Sequence, residues 1–279
     1  MTSIPTTLAV LALVLAGAMT LAFWVRLRTG RSGWIDTIWS AAVGVAGLVA
    51  VAAAEGGDPA RRAVAGVLIA AWSLRLAGHI GGRTREGGDD PRYAALVEGW
   101  GASWRRSLFL FLQAQAAAGW VLAVAILLAA RNPAPMSWVV DGLAVAIGLG
   151  GLMIETVADR QLRQWRAGSD RSGTAICAVG LWGRSRHPNY LGEAIFWWAW
   201  PVLAFDPARP WWGLVAALAP VLIAHLLVNV SGVPPLEDHM RRTRGAAWDE
   251  HCRRVPRLVP NVHNTDPPIR PGSGTLGNP

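Results

Sequence analysis

The sequence predicts an all-α fold: a polytopic membrane bundle of about seven helices, N-terminus outside and C-terminus in the cytoplasm. Three observations predict it. Of 279 residues, 52% are apolar and 16% charged, where a soluble domain carries about a quarter charged. The apolar residues gather in stretches of about 20, the length that crosses a bilayer. All 26 basic residues are Arg, and they alternate in step with those stretches.

Taken in order, the apolar segments run roughly 4–25, 34–54, 63–80, 107–130, 138–158, 191–206 and 211–230. The first has no charged n-region and is followed by Arg26, Arg28 and Arg31, which marks a retained span rather than a signal peptide. Five more Arg follow the third segment, six follow the fifth and seven lie in the C-terminal part. With the N-terminus outside, 21 Arg fall on the inner side against Arg61, Arg62, Arg131 and Arg209 on the outer side. That is the positive-inside pattern. Many of the 16 Trp stand at segment ends, as an interfacial belt would. Residues 1–260 then form one transmembrane domain, and 261–279, rich in Pro and Gly, a disordered tail.

This composition excludes a soluble enzyme and a fibrous chain. The net charge of +8 speaks for cytoplasmic loops and phosphate-bearing ligands rather than nucleic acid. Cys177 and Cys252 lack metal-ligand spacing, and no His pair has the spacing of a metal site on one helix.

Ionisable residues at membrane depth are costly and default to functional candidates. They are Asp36, Arg75, His79, Asp141, Glu155, Glu193 and His225. Asp141, at a segment end, reads as interfacial, and His225 as a hydrogen-bonded structural histidine. Arg75 either snorkels or pairs with Asp36 or Glu155. Gly148–Leu149–Gly150–Gly151 lacks the strand of a dinucleotide fingerprint and reads as close helix packing.

The stretch from Glu155 to Glu193 is the most informative. Asp159, Arg163 and Arg166 share one helix face. They suit a phosphorylated, hydroxyl-bearing ligand, or simply a solvated charged face. Ser185–Arg186–His187–Pro188–Asn189–Tyr190–Leu191–Gly192–Glu193 opens the sixth segment. Pro188 fits the first helical turn, whose positive end favours an anion. Asn189 and Glu193, one turn apart, point together into the bundle. Beyond the last segment, Ser231-Gly232 leads to Glu237, and Trp248 to Pro260 carries His251 and Arg254. That part reads either as a basic segment on anionic lipid or as the closing wall of a phosphate pocket.

The nine-residue motif from Ser185 to Glu193 resembles the signature of the steroid 5-alpha-reductase-like integral membrane family, in its bacterial branch of uncharacterised substrate (the DUF1295 type). Ser231-Gly232 leading to Glu237, Trp72–Ser73–Leu74–Arg75–Leu76 and Asp90–Pro91–Arg92–Tyr93 share the resemblance, which extends from about Asp36 to Pro260. It implies NADPH held in a cytoplasm-facing cavity, mostly by residues of about 138–260, and reduction of an activated carbon–carbon double bond in a lipid-like substrate. It implies that Asp159, Arg163 and Arg166 meet the adenosine and phosphate parts. Arg186, His187, Asn189 and Tyr190 would line the pyrophosphate and nicotinamide region, Glu193 would fix the nicotinamide end, and Glu237, His251 and Arg254 would close the site. The acid would be Tyr190, Asp36 or Glu193. The chain departs from the family at Trp72, where steroid-reducing members keep a Tyr, and at His251, where relatives end an aromatic run in Tyr.

A second resemblance runs through Arg–His–Pro–x–Tyr and Arg254–Val255–Pro256–Arg257–Leu258–Val259–Pro260 to isoprenylcysteine and phospholipid methyltransferases, which use S-adenosylmethionine. A scaffold that binds lipid or partner without catalysis is the third possibility.

Overall fold

The computed structural model describes residues 3–87, 90–168 and 175–260. Residues 261–279, expected as a tail, and Arg171 and Arg270 of the inner-side count lie outside them. The chain opens with three long helices, α1 (Ile4–Thr29), α2 (Gly33–Ala52) and α3 (Pro59–Arg85). α1 starts because Ser3 Oγ accepts from Thr6 N–H at 3.3 Å and Pro5 fixes the first turn. α3 repeats the device with Asp58, which accepts from Arg61 N–H at 2.9 Å, and Pro59. Short α4 (Pro91–Trp100) follows, capped by Asp90, then α5 (Trp104–Arg131) and α6 (Val140–Gly168).

The sixth apolar segment is not one helix. It divides into α7 (Pro188–Trp197) and α8 (Ala199–Ala204). The seventh divides likewise into α9 (Pro210–Ala216) and α10 (Leu218–His225), which runs on into a π-helical turn at Leu226–Val230. The cause is the same in both. α7 ends four residues before Pro201 and α9 four residues before Pro220. A proline cannot donate to the carbonyl four residues back, and its ring clashes there. The π turn closes with Ser231 N–H on Leu226 O at 2.8 Å. Gly232 then turns the chain sharply; a Cβ there would stand 2.5 Å from Leu227 O. Polar α11 (Val233–Arg244) and α12 (Ala246–Arg254) complete the chain.

The result is a polytopic helical membrane bundle. Among the described residues six helical stretches are long and apolar enough to cross a membrane, the last of them the broken run from Pro210. The α7–α8 pair, read from the sequence as one segment, is two short helices and is not among those six. α2 packs against α1, α3 and α5, while α6 packs along α7 and α8, and α5 joins the two groups. Large apolar side chains face outward, with Leu13 73%, Leu74 76% and Leu214 73% exposed, an arrangement that suits lipid rather than water. Inside, Trp72, Phe196, Trp197 and Trp200 are fully buried together.

One end of the bundle gathers the C-termini of α1, α3 and α6 and the N-termini of α2, α5 and α7, and most of the Arg. The other end is closed by an ion pair. Arg61 meets Asp141 at 2.6 and 2.9 Å and also donates to the carbonyls of Asn132 and Ala134. Asp141 stands at the segment end where the sequence places it, in the first turn of α6, and is fully buried. A long Arg from α3 reaches over and removes it from the surface. Asn132 donates to Leu203 and Phe205 carbonyls at 3.0 and 2.9 Å, which ties in α8. His225 makes its hydrogen bond, with Asn229 at 3.3 Å, but on an exposed face.

Candidate active site

The centre of the Arg-rich half is the crossing of α6 and α7. Gly151 and Gly192 meet there. A Cβ on Gly151 would lie 2.6 Å from Phe196 N, and one on Gly192 would lie 2.8 Å from Gly151 O. The small-residue reading of the glycine run therefore holds, and the close approach has a chemical result: it sets Glu155 beside Glu193. Glu193 accepts from Trp72 Nε1, at 3.0 Å from both carboxylate oxygens, and from Trp197 Nε1 at 2.8 Å. Arg75 pairs with Glu155 and, at 2.7 Å, with Asp159. His79 Nε2 lies 3.7 Å from Asp159. Of the two partners expected for Arg75, Glu155 is found and Asp36 is not.

Asp36 belongs to a second group. It accepts from Arg92 at 2.5 Å and from the Tyr93 hydroxyl at 2.7 Å. Arg92 also donates to Asp90, and Gln115 donates to Tyr93 Oη at 3.1 Å. Tyr190 of α7 stands within electrostatic reach of Arg92, Asp90, Asp36 and Arg83. Its ring stacks on His187, with centroids 5.5 Å apart. The Tyr190 hydroxyl makes no hydrogen bond among the described residues, whereas Tyr93, the other tyrosine, is fully engaged.

A third group ties the start of α7 to the polar C-terminal helices. Arg186 donates to Glu237 at 2.9 Å and to Val255 O at 2.8 Å, and its own N–H donates to Pro256 O. His187 Nε2 lies 3.0 Å from Glu237 Oε1. Burial alone would raise the Glu237 carboxyl, but the hydrogen bonds from His187 and Arg186 outweigh it and hold it at about 2. Burial pushes the His187 imidazole down despite Glu237. His251 is buried beside Trp248; burial first, then Arg186, lowers it to about 4.

Arg163 and Arg166 are exposed on the last turns of α6 and form no ion pair among the described residues. Arg83, from the end of α3, reaches the field of Arg166 as well as that of Tyr190. Arg83 itself donates to Asp90 at 3.4 Å. Asn189 accepts from Tyr190 N–H at 3.1 Å, and Arg254 pairs with Glu250 at 2.6 Å on the exposed side of α12. The structure therefore gathers Asp36, Asp159, Tyr190, Glu193, Arg186, His187 and Glu237 at one end, and leaves Arg254 at the surface. Sequence reasoning missed three parts of the site: Trp197, Arg83, and the hold of Arg92 and Tyr93 on Asp36. Trp197 stands one helical turn after Glu193, which was the available signal.

A sequence family described as "Protein of unknown function (DUF1295)" matches residues 22–255. Curated relatives include Delta(14)-sterol reductases. The one from Gallus gallus is 30% identical over 107 residues, 38% of this chain and 16% of its own length. That of Schizosaccharomyces pombe is 31% identical over 108 residues, 38% of this chain and 23% of its own. That of Mus musculus is 33% identical over 94 residues, 33% of this chain and 21% of its own. The chain thus spans under a quarter of the length of these relatives. No solved structure matches.

Proposed function

The chain belongs to the DUF1295 family, and from that premise we propose that it is an NADPH-dependent membrane reductase of an activated C=C bond in a lipid-like, sterol-type substrate. What supports the substrate class is the likeness to proteins named Delta(14)-sterol reductases. The single observation that carries the reading is the place of Arg83. Its charge acts on both Arg166, on the cationic face, and Tyr190, whose hydroxyl makes no hydrogen bond among the described residues.

The side chains fit the cofactor. Guanidiniums grip phosphate oxygens bidentately, and Arg163, Arg166 and Arg83 would hold the phosphates. Asp159 is already spanned by Arg75 and His79, so in this arrangement it orients that face rather than offering itself freely. Arg186 and His187, locked on Glu237, would form the wall toward the nicotinamide. When bound, NADPH would supply a hydride to the β-carbon of the alkene.

Tyr190 would donate the proton that completes the α-carbon. A phenol beside Arg92 and Arg83 is well placed to lose it, since both cations stabilise the phenolate left behind. Asp36 and Glu193 suit the acid role less well, because each is engaged as an acceptor by at least two donors. Trp72 does not replace the family tyrosine as a carbonyl donor; its N–H is spent on Glu193. The Arg-rich end would face the cytoplasm, with the N-terminus outside. Trypsin should then cut at Arg241 and Arg242 in inverted vesicles and spare them in right-side-out ones.

The test is a thermal melt of the purified protein in detergent with NADPH, NADH, S-adenosylmethionine or S-adenosylhomocysteine, followed by NADPH oxidation over a panel of conjugated sterols and enones. A saturating ligand raises stability by RT ln(1 + [L]/Kd). A shift with NADPH, and oxidation coupled to loss of the alkene, is the expected result. A shift with the adenosyl compounds alone would make the protein a methyltransferase.

A further inference from the structure

Where α6 and α7 cross, a Cβ on Gly192 would stand 2.6 Å from Glu155 Cγ, and this close approach sets the Glu155 carboxyl against that of Glu193. Glu155 Oε2 takes the Arg75 guanidinium, while Glu155 Oε1 is buried and has no hydrogen-bond partner. Both residues are nearly inaccessible, Glu155 at 2% and Glu193 at 8% exposure. Two ionised carboxylates here would oppose each other with no donor between them. A third, Asp159, stands on the same face of α6 and shares the Arg75 guanidinium. The other groups facing the cluster are His79 from α3, next to Asp159, and the indole N–H groups of Trp72 and Trp197. Like charges so placed do not both ionise, and a buried acceptor without a donor is costly.

We propose that Glu155 and Glu193 share a single proton, carried on Glu155 Oε1 and donated to Glu193, which makes the pair a proton-binding site at membrane depth. One proton answers every feature of the cluster. It gives the orphan oxygen its partner and removes one of three negative charges set against one guanidinium. It also leaves Glu193 ionised, as the acceptor that its indole donors require. Asp159 and His79 lie between the pair and the Arg-rich end, where the His79 side chain is 25% exposed. The proposal needs no substrate and stands apart from the reductase reading.

Infrared spectroscopy of the purified protein at neutral pH decides it, with wild type compared to Glu155→Gln and Glu193→Gln. The wild type should show the carbonyl stretch of a protonated carboxylic acid, shifted in D2O. E155Q should lose that band and melt close to wild type, because its amide N–H supplies the hydrogen bond instead. E193Q should lose it too, since Glu155 then ionises against Arg75. A wild-type spectrum without the band, or an E155Q difference spectrum that loses an ionised carboxylate instead, overturns the proposal. If E193Q does not fold, E155Q alone is sufficient.

Discussion

Trp72 gives its indole N–H to both carboxylate oxygens of Glu193, 3.0 Å from each, where α3 meets α7. The donor and the acceptor are both buried. Trp72→Phe keeps most of the packing and removes the donor, leaving Glu193 short of one hydrogen bond to a charged group. Such a loss costs about 1.5–3 kcal/mol. The variant should therefore melt well below wild type in detergent; a melt equal to wild type would show that this hydrogen bond contributes nothing.

Tyr190→Phe removes the unengaged hydroxyl and leaves the ring on His187. Turnover should fall by about 10²–10⁴-fold, the usual contribution of a positioned acid, while the NADPH-induced thermal shift is kept. Unchanged turnover would take Tyr190 out of the acid role.

Arg163→Ala and Arg166→Ala test the cationic face. Neither residue holds another part of the fold, so the apo melt should stay within about 0.5 kcal/mol of wild type, as for most surface changes. NADPH affinity, read by titration, should fall by about tenfold or more for each charge-assisted hydrogen bond removed. Equal affinity in both variants would place the phosphates elsewhere.

Acidification should destabilise the protein in two stages. The His251 imidazole, lowered to about 4, resists protonation in the folded state. The unfolded chain takes up that proton near pH 6.5. The contribution of His251 is thus complete above about 6.5 and is lost as pH falls toward 4. Glu237, held at about 2, contributes fully above its ordinary value of 4.5 and loses that as pH falls toward 2. Melts across this range should show both falls, and Glu237→Gln should flatten the lower one.

Arg61→Ala should destabilise strongly without touching cofactor binding. Removing one partner of a buried ion pair costs about 3–5 kcal/mol, because the other charge is left without compensation. The melt should collapse, and the paired change Arg61→Met with Asp141→Leu should recover much of it.

Much of the architecture was legible because lipid imposes a simple code of length, apolarity and Arg placement. The breaks in the last two segments were not read from the sequence, because their apolar character runs on through Pro201 and Pro220. The grouping of site residues followed from helix spacing: Asp159, Arg163 and Arg166 on one face, Asn189 and Glu193 on another. Partner choice was not legible. Arg75 could reach Asp36 or Glu155 by depth alone, and only the Gly151–Gly192 crossing decides between them. Asp141 looked interfacial because nothing in the chain near it announces Arg61, 80 residues earlier. Trp72 stood out only as a departure from the family tyrosine, because its sequence position does not reveal that its N–H donates to Glu193.

The Arg61–Asp141 clamp has a mechanical meaning. It pins α3 to α6, and through Asn132 also to α8, at the end of the bundle away from Tyr190. Rods pinned at one end swing most at the other. The pin therefore fixes the spacing of these helices at the end that holds Asp141 and not at the end that holds Tyr190. A brace at one end leaves the spacing of α3 and α6 at the other end to Arg75 and its hold on Glu155 and Asp159.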